Sequence, residues 1–175
     1  MKDHMGHKFR VVGDREALPH SQLPDDYRTR AYLLPLTSES SHTARHCMSD
    51  LVLLWRLPDL VEPAALITAE LVSNAVRHAI GWSDEALPVR LLAIYAAHTL
   101  RIEVRDPDAR NLPVWRVPEE LATFGYGMQL VHGYADRNGV RVTDAGKAVW
   151  CEIDRRSDAP FSRSDLTTER GGSHG

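Results

Sequence analysis

The chain has 175 residues, 43% of them hydrophobic and 26% charged, with a formal net charge of −3. That is long enough for one domain with its own core, and the balance is that of a globular chain rather than a disordered one. The slight acidity excludes the basic footprint of a nucleic-acid binder, the longest apolar runs (Leu51–Trp55 and Leu91–Ala97) are too short for a bilayer helix, and the N-terminus lacks the order of a signal peptide, so the expected location is the cytoplasm.

Residues 1–30 are polar, with Pro19, Pro24 and mixed charge, and no sustained period; they read as a flexible N-terminal arm. Tyr32–Leu36 predicts an edge strand, where Pro35 is tolerated. Ser38, Ser40 and Ser41 offer an N-cap for a helix from about Thr43 to Trp55. His42 and His46 are four apart on it, but with no third ligand nearby a metal site is not expected there. Cys47 and Cys151 form no CxxC and read as buried thiols. Leu57-Pro58-Asp59 breaks the helix, and a second one begins near Leu60 with Asp59 as N-cap, running to about Ile80 before Gly81.

This second helix carries the most informative stretch. Glu70, Asn74 and His78 are four apart, and Arg77 is seven from Glu70, so all four share a face. Leu66, Ile67, Leu71, Val72, Ala75 and Val76 are left to pack inward. A carboxylate can take a proton from water or a hydroxyl, and a carboxamide oxygen can sit on a hard cation. Alone, such a stripe is more often a solvated helix face.

Val89–Tyr95 and Leu100–Arg105 read as strands around a turn at Ala97-His98-Thr99. The second strand ends in Asp106, whose carboxylate can accept from an exocyclic amine such as that of adenine, although by itself Asp-Pro reads first as a turn former. A proline-rich loop spans 106–118, and Glu119–Ala122 suits a short helical turn. Gly125 and Gly127 stand just before a predicted helix over Gly127–Ala135, where backbone N–H groups can approach an anion closely. Gly139–Thr143 and Ala148–Ile153 form a closing hairpin around Ala145-Gly146-Lys147, and residues 155–175 read as a disordered polar tail. The order of elements predicts an α+β two-layer sandwich over residues 31–154, with helices on one face of a mixed, mainly antiparallel sheet.

In this order and spacing, the three motifs resemble those of the ATPase fold shared by gyrase, heat-shock chaperones, sensor histidine kinases and MutL. Glu70–His78 resembles the N box, Asp106 onward the first glycine box, and Gly125–Val131 the second. Within that superfamily, Glu-Leu-Val-Ser-Asn-Ala-Val-Arg-His-Ala, Gly-Tyr-Gly-Met-Gln-Leu-Val, Ala-Asp-Arg-Asn-Gly-Val and Gly-Lys-Ala-Val-Trp-Cys-Glu-Ile are similar to the anti-sigma-factor serine kinases. The likeness is greatest to the small stand-alone regulators of actinobacteria. The resemblance covers residues 32–154 and implies ATP and Mg²⁺ as cofactors. It implies serine/threonine kinase activity towards an anti-sigma antagonist, a sigma factor as second partner, and a homodimer. It makes Glu70 the general base, Asn74 the Mg²⁺ ligand and Asp106 the reader of the adenine amine. Gly125 and Gly127, with Met128 beside them, would form the phosphate lid. Arg77, His78 and Lys147 would lie at the nucleotide.

The chain departs from the family pattern at Asp108, at Thr123 and Phe124, where an acidic or polar lid residue is common, and at Ala148. Asp108 stands where a glycine is usual, and Ala148 where a hydroxyl residue is common, which predicts one missing phosphate hydrogen bond. These departures motivate the alternative of a catalytically weak or inactive interaction module of the same fold, regulating by protein binding alone.

Overall fold

A computed structural model describes residues 10–12, 24–79, 88–107, 131, 133–143 and 146–155. The strands are β1 (Arg10–Val12), β2 (Arg28–Leu34), β3 (Val89–Ala96), β4 (Thr99–Asp106), β5 (Arg137–Thr143) and β6 (Gly146–Asp154). The helices are α1 (Ser40–Leu54) and α2 (Val61–Ala79), the latter entered through a 3-10 turn at Pro58–Leu60. The strands form one sheet in the order β1-β2-β3-β4-β6-β5, antiparallel at every pairing. Helix α2 lies on β3, β4 and β6, and α1 packs along α2. The result is the expected α+β two-layer sandwich.

Strand alternation sorts the side chains. Val89, Leu91, Ala93 and Tyr95 of β3, Leu100, Ile102 and Val104 of β4, and Val149, Cys151 and Ile153 of β6 face the helices and are buried. They meet Met48, Leu51 and Val52 of α1 and Ile67, Leu71, Val72 and Val76 of α2. On α2 the predicted inward set is buried except Leu66, which is intermediate. Leu66 is four residues before Glu70 and so continues the polar stripe rather than the core face.

Three predicted boundaries shift, two of them with a contact distant in sequence. β2 begins at Arg28 and ends at Leu34, so Pro35 lies beyond it, and β2 is flanked on both sides by β1 and β3 rather than standing at an edge. Its start looks polar, but Arg28 lays its guanidinium 5.8 Å from the Tyr95 ring centroid and donates to the Trp55 carbonyl. The stretch before residue 31 therefore contributes Arg10–Val12 and Arg28–Arg30 to the sheet. Helix α1 starts at Ser40 behind Glu39, which makes no side-chain cap. Ser40 Oγ instead donates to the Pro35 carbonyl at 2.6 Å and lies 3.1 Å from Thr37 Oγ1, closing the loop that feeds the helix. Asp59 sits inside the 3-10 turn and accepts from Arg155 Nε at 2.9 and 3.1 Å.

The β3–β4 connection is a two-residue turn, with Ala97 at φ 49° and His98 at φ 63°. Positive φ at both positions is what the twist of a tight hairpin requires. Asp26 holds this turn, accepting the Ala97 and His98 backbone N–H groups at 3.0 and 3.1 Å. Val131, Gly133 and Tyr134 are helical and Val131 is buried in the core, which fits the end of the helix predicted over Gly127–Ala135. The rest of that helix, Gly81 and the turn at Glu119–Ala122 lie outside the described residues.

Candidate functional site

Leu71, Val72, Ala75 and Val76 seat α2 against the sheet and the first helix. That seating leaves Glu70, Ser73 and Asn74 partly accessible and Arg77 exposed, along one stripe. Arg77 Nη1 donates to Asn74 Oδ1 at 3.3 Å, and Arg77 Nη2 to Ser73 Oγ at 3.5 Å. Only the Arg77 end of the stripe, with Ser73, borders a cleft of about 230 Å³ lined by Thr37, Ser38, Ser41, Ser73, Val76 and Arg77. Ser73, Thr37, Ser38 and Ser41 are not among the site residues expected from the sequence, where Ser38 and Ser41 figure only as N-cap candidates. Ser73 lies between two stripe residues, but the α1 hydroxyls come from another element and carry no local signal. The backbone of His78 continues α2.

The second part of the site stands at the end of β4. Asp106 is the Cα partner of Lys147 in β6, and Lys147 Nζ donates to Asp106 Oδ1 at 2.9 Å. Both side chains are almost wholly buried, at 1% and 3% exposure. The second oxygen, Oδ2, is buried and accepts no hydrogen bond. By alternation Asp106 and Lys147 belong to the helix-covered face, the side on which α2 carries its stripe. Lys147 was expected at the phosphates; here its ammonium is bound to the carboxylate expected to read the base. Gly146 makes the register at this point. It has φ +129°, and a Cβ there would lie 2.1 Å from the Asp106 carbonyl oxygen, so only glycine lets β6 start against β4.

Ala148 changes meaning in the structure. It is the partner of Arg105 in β4 and of Arg141 in β5, on the face away from the helices, and is 2% exposed. It is a packing residue on the far side of the sheet rather than a missing phosphate contact. That far face carries a charged lattice. Glu103 accepts from Arg105 at 2.6 Å and from Arg101 at 2.9 Å, and Glu152 accepts from Arg101 at 2.9 Å and Arg137 at 2.7 Å. Burial pushes the Glu103 carboxyl up, but the bonds from Arg105 and Arg101 outweigh it and hold it below the usual carboxylate value. Arg101 stacks 4.1 Å from the Trp150 ring centroid, and that indole lies across Gly139, where a Cβ would come within 2.6 Å of it.

The donor set fits a nucleotide with Mg²⁺. A buried carboxylate oxygen without a hydrogen bond suits an amine donor, and a carboxamide oxygen suits a hard cation. Among the described residues no three His, Cys, Asp or Glu side chains gather around one point, and Mg²⁺ held mainly by phosphates needs no such cage. Gly125, Gly127, Met128 and Asp108 lie outside the described residues. Also among the described residues, no helix is long and apolar enough to cross a membrane.

No curated protein matches the chain. A family model described as histidine kinase-like ATPase domain matches residues 34–153, a span that begins at the last residue of β2 and ends one residue short of the end of β6. That span contains the α2 stripe and the Asp106–Lys147 pair, and the chain belongs to the histidine kinase-like ATPase domain family.

Proposed function

We propose that this ATPase-family domain is an ATP-dependent regulator of the anti-sigma-factor kinase kind, binding ATP with Mg²⁺ and phosphorylating a serine or threonine on an antagonist protein. The observation that carries the reading is the pairing of two features on one side of the sheet: a stripe of Glu70, Asn74 and Arg77 on α2, and a buried carboxylate at the end of β4. Bound ATP–Mg²⁺ supplies the phosphoryl group and the charge that neutralises it. Asp106 accepts the adenine amine on Oδ2 while Lys147 holds Oδ1, so the carboxylate is fixed in one orientation. Asn74 Oδ1 holds the cation, and Arg77 must then leave that oxygen, which frees a guanidinium for phosphate oxygens. Glu70 takes the proton of the attacking hydroxyl. Gly125, Gly127 and Met128 form the phosphate lid, with His78 at its edge. A sigma factor and the antagonist compete for one surface of a homodimer, and the nucleotide state biases the choice.

The test is a pair of assays on Glu70→Ala. The variant should bind ATP with unchanged affinity and transfer no phosphate to the antagonist captured from native cytoplasm. Undiminished transfer would remove Glu70 from the role of base. Asn74→Ala should lose the Mg²⁺-dependent part of ATP binding, and equal affinity with and without Mg²⁺ in both proteins would count against Asn74 as ligand.

A further inference from the structure

His42 and His46 lie on the exposed side of α1, away from the packed face of Ala44, Met48 and Leu51. Their Nε2 atoms are 3.1 Å apart, and the rings meet edge to face with centroids 4.4 Å apart. We propose that this pair is a surface chelate for a divalent transition-metal ion of the zinc class, independent of the nucleotide site.

The geometry supplies the argument. Two imidazole nitrogens bound to one zinc ion at roughly 2.0–2.1 Å stand about 2.9 Å apart at a right angle and about 3.3 Å apart at the tetrahedral angle. The observed 3.1 Å falls between these, so the two nitrogens already stand at the spacing a shared ion requires. Helix α1 fixes their backbone one turn apart, which removes most of the ordering cost of bringing two ligands together. Without metal, one ring donates its Nε2–H to the other. With metal, that ring carries its proton on Nδ1 instead, both Nε2 lone pairs turn to the cation, and two of the cation's waters leave. No net proton is released.

Two ligands leave the remaining coordination positions open to solvent. No third His, Cys, Asp or Glu completes the site among the described residues. Water, or a donor from a bound partner, fills those positions, which makes this an open surface site rather than a structural zinc cage.

The probe is zinc ion alone, titrated calorimetrically into the full chain after chelator treatment, with circular dichroism to check folding. The wild-type chain should bind one equivalent and melt at a higher temperature with zinc. His42→Ala and His46→Ala should each lose the binding and the melting shift while keeping the wild-type spectrum and ATP affinity. His20→Ala should keep both. Absence of binding by the wild-type chain overturns the proposal. Binding that survives in both single variants also overturns it, because it assigns the zinc to other histidines.

Discussion

The pair of Asp106 and Lys147 places two opposite charges where water does not reach. Breaking such a pair from one side leaves an uncompensated buried charge and costs about 3–5 kcal/mol, whereas removing both charges can be nearly neutral. Lys147→Met should therefore lower stability by that amount, and the double variant Asp106→Asn with Lys147→Met should recover most of it. Urea unfolding of the two variants measures both, and a single variant within about 1 kcal/mol of wild type would show that the pair does not carry the strand end. ATP binding should separate the two proteins in the opposite sense, since the stable double variant no longer offers a carboxylate to the base. None of this pairing was legible in the sequence. Asp106 and Lys147 are 41 residues apart, and only the register of β4 on β6 makes them neighbours. The stripe of Glu70, Asn74 and Arg77 was legible, because helical period is a local property and the apolar set beside it fixes which way the helix turns.

Elements were predicted well where local sequence alone sets them, and less well at their ends. Helix α2 and strands β3 and β4 follow from periodicity and alternation. The start of α1 is fixed by Ser40 bonding to Pro35, five residues back, a loop closure that helical period does not show, and Asp59 answers to Arg155, 96 residues away. The β3–β4 turn shows the same division. The hairpin was expected, but Ala97 and His98 are poor residues for two consecutive positive φ values. The hydrogen bonds from both backbone N–H groups to Asp26 hold the turn in spite of them. Replacing the two residues with Ala97→Asn and His98→Gly should stabilise the domain by about 1 kcal/mol, since Asn-Gly adopts this turn without that strain. A melting temperature unchanged or lowered would show that the turn is not under strain.

Over the whole molecule, the two faces of the sheet do different work. One is covered by helices and carries the candidate nucleotide site; the other is a lattice of Arg101, Arg105, Arg137 and Arg141 around Glu103, Glu152 and Asp154. Glu103 titrates below its ordinary value in the folded protein, so the folded state holds its proton less tightly than the unfolded chain does. Its contribution is therefore present above the ordinary carboxylate range and is lost as the pH falls through the lowered value. Glu152 behaves alike, with burial pushing it up and the bonds from Arg137 and Arg101 pulling it down further. Stability should fall between about pH 5 and pH 3, and Glu103→Gln should flatten that fall while being less stable at pH 7. Denaturation midpoints across that range decide the point, and an equal slope in both proteins would contradict it.

The strand order has a consequence for how the chain is made. β6, the last strand in sequence, lies between β4 and β5 and is the partner of both. As the chain leaves the ribosome from its N-terminus, β1 to β4 can pair in order of appearance, but β4 keeps one open edge and β5 has no described neighbour in the sheet until Gly146–Asp154 has emerged. The closing strand also carries Lys147. Completion of the sheet and neutralisation of Asp106 are therefore one event, and a nascent chain halted before Gly146 has neither the completed sheet nor the Asp106–Lys147 pair.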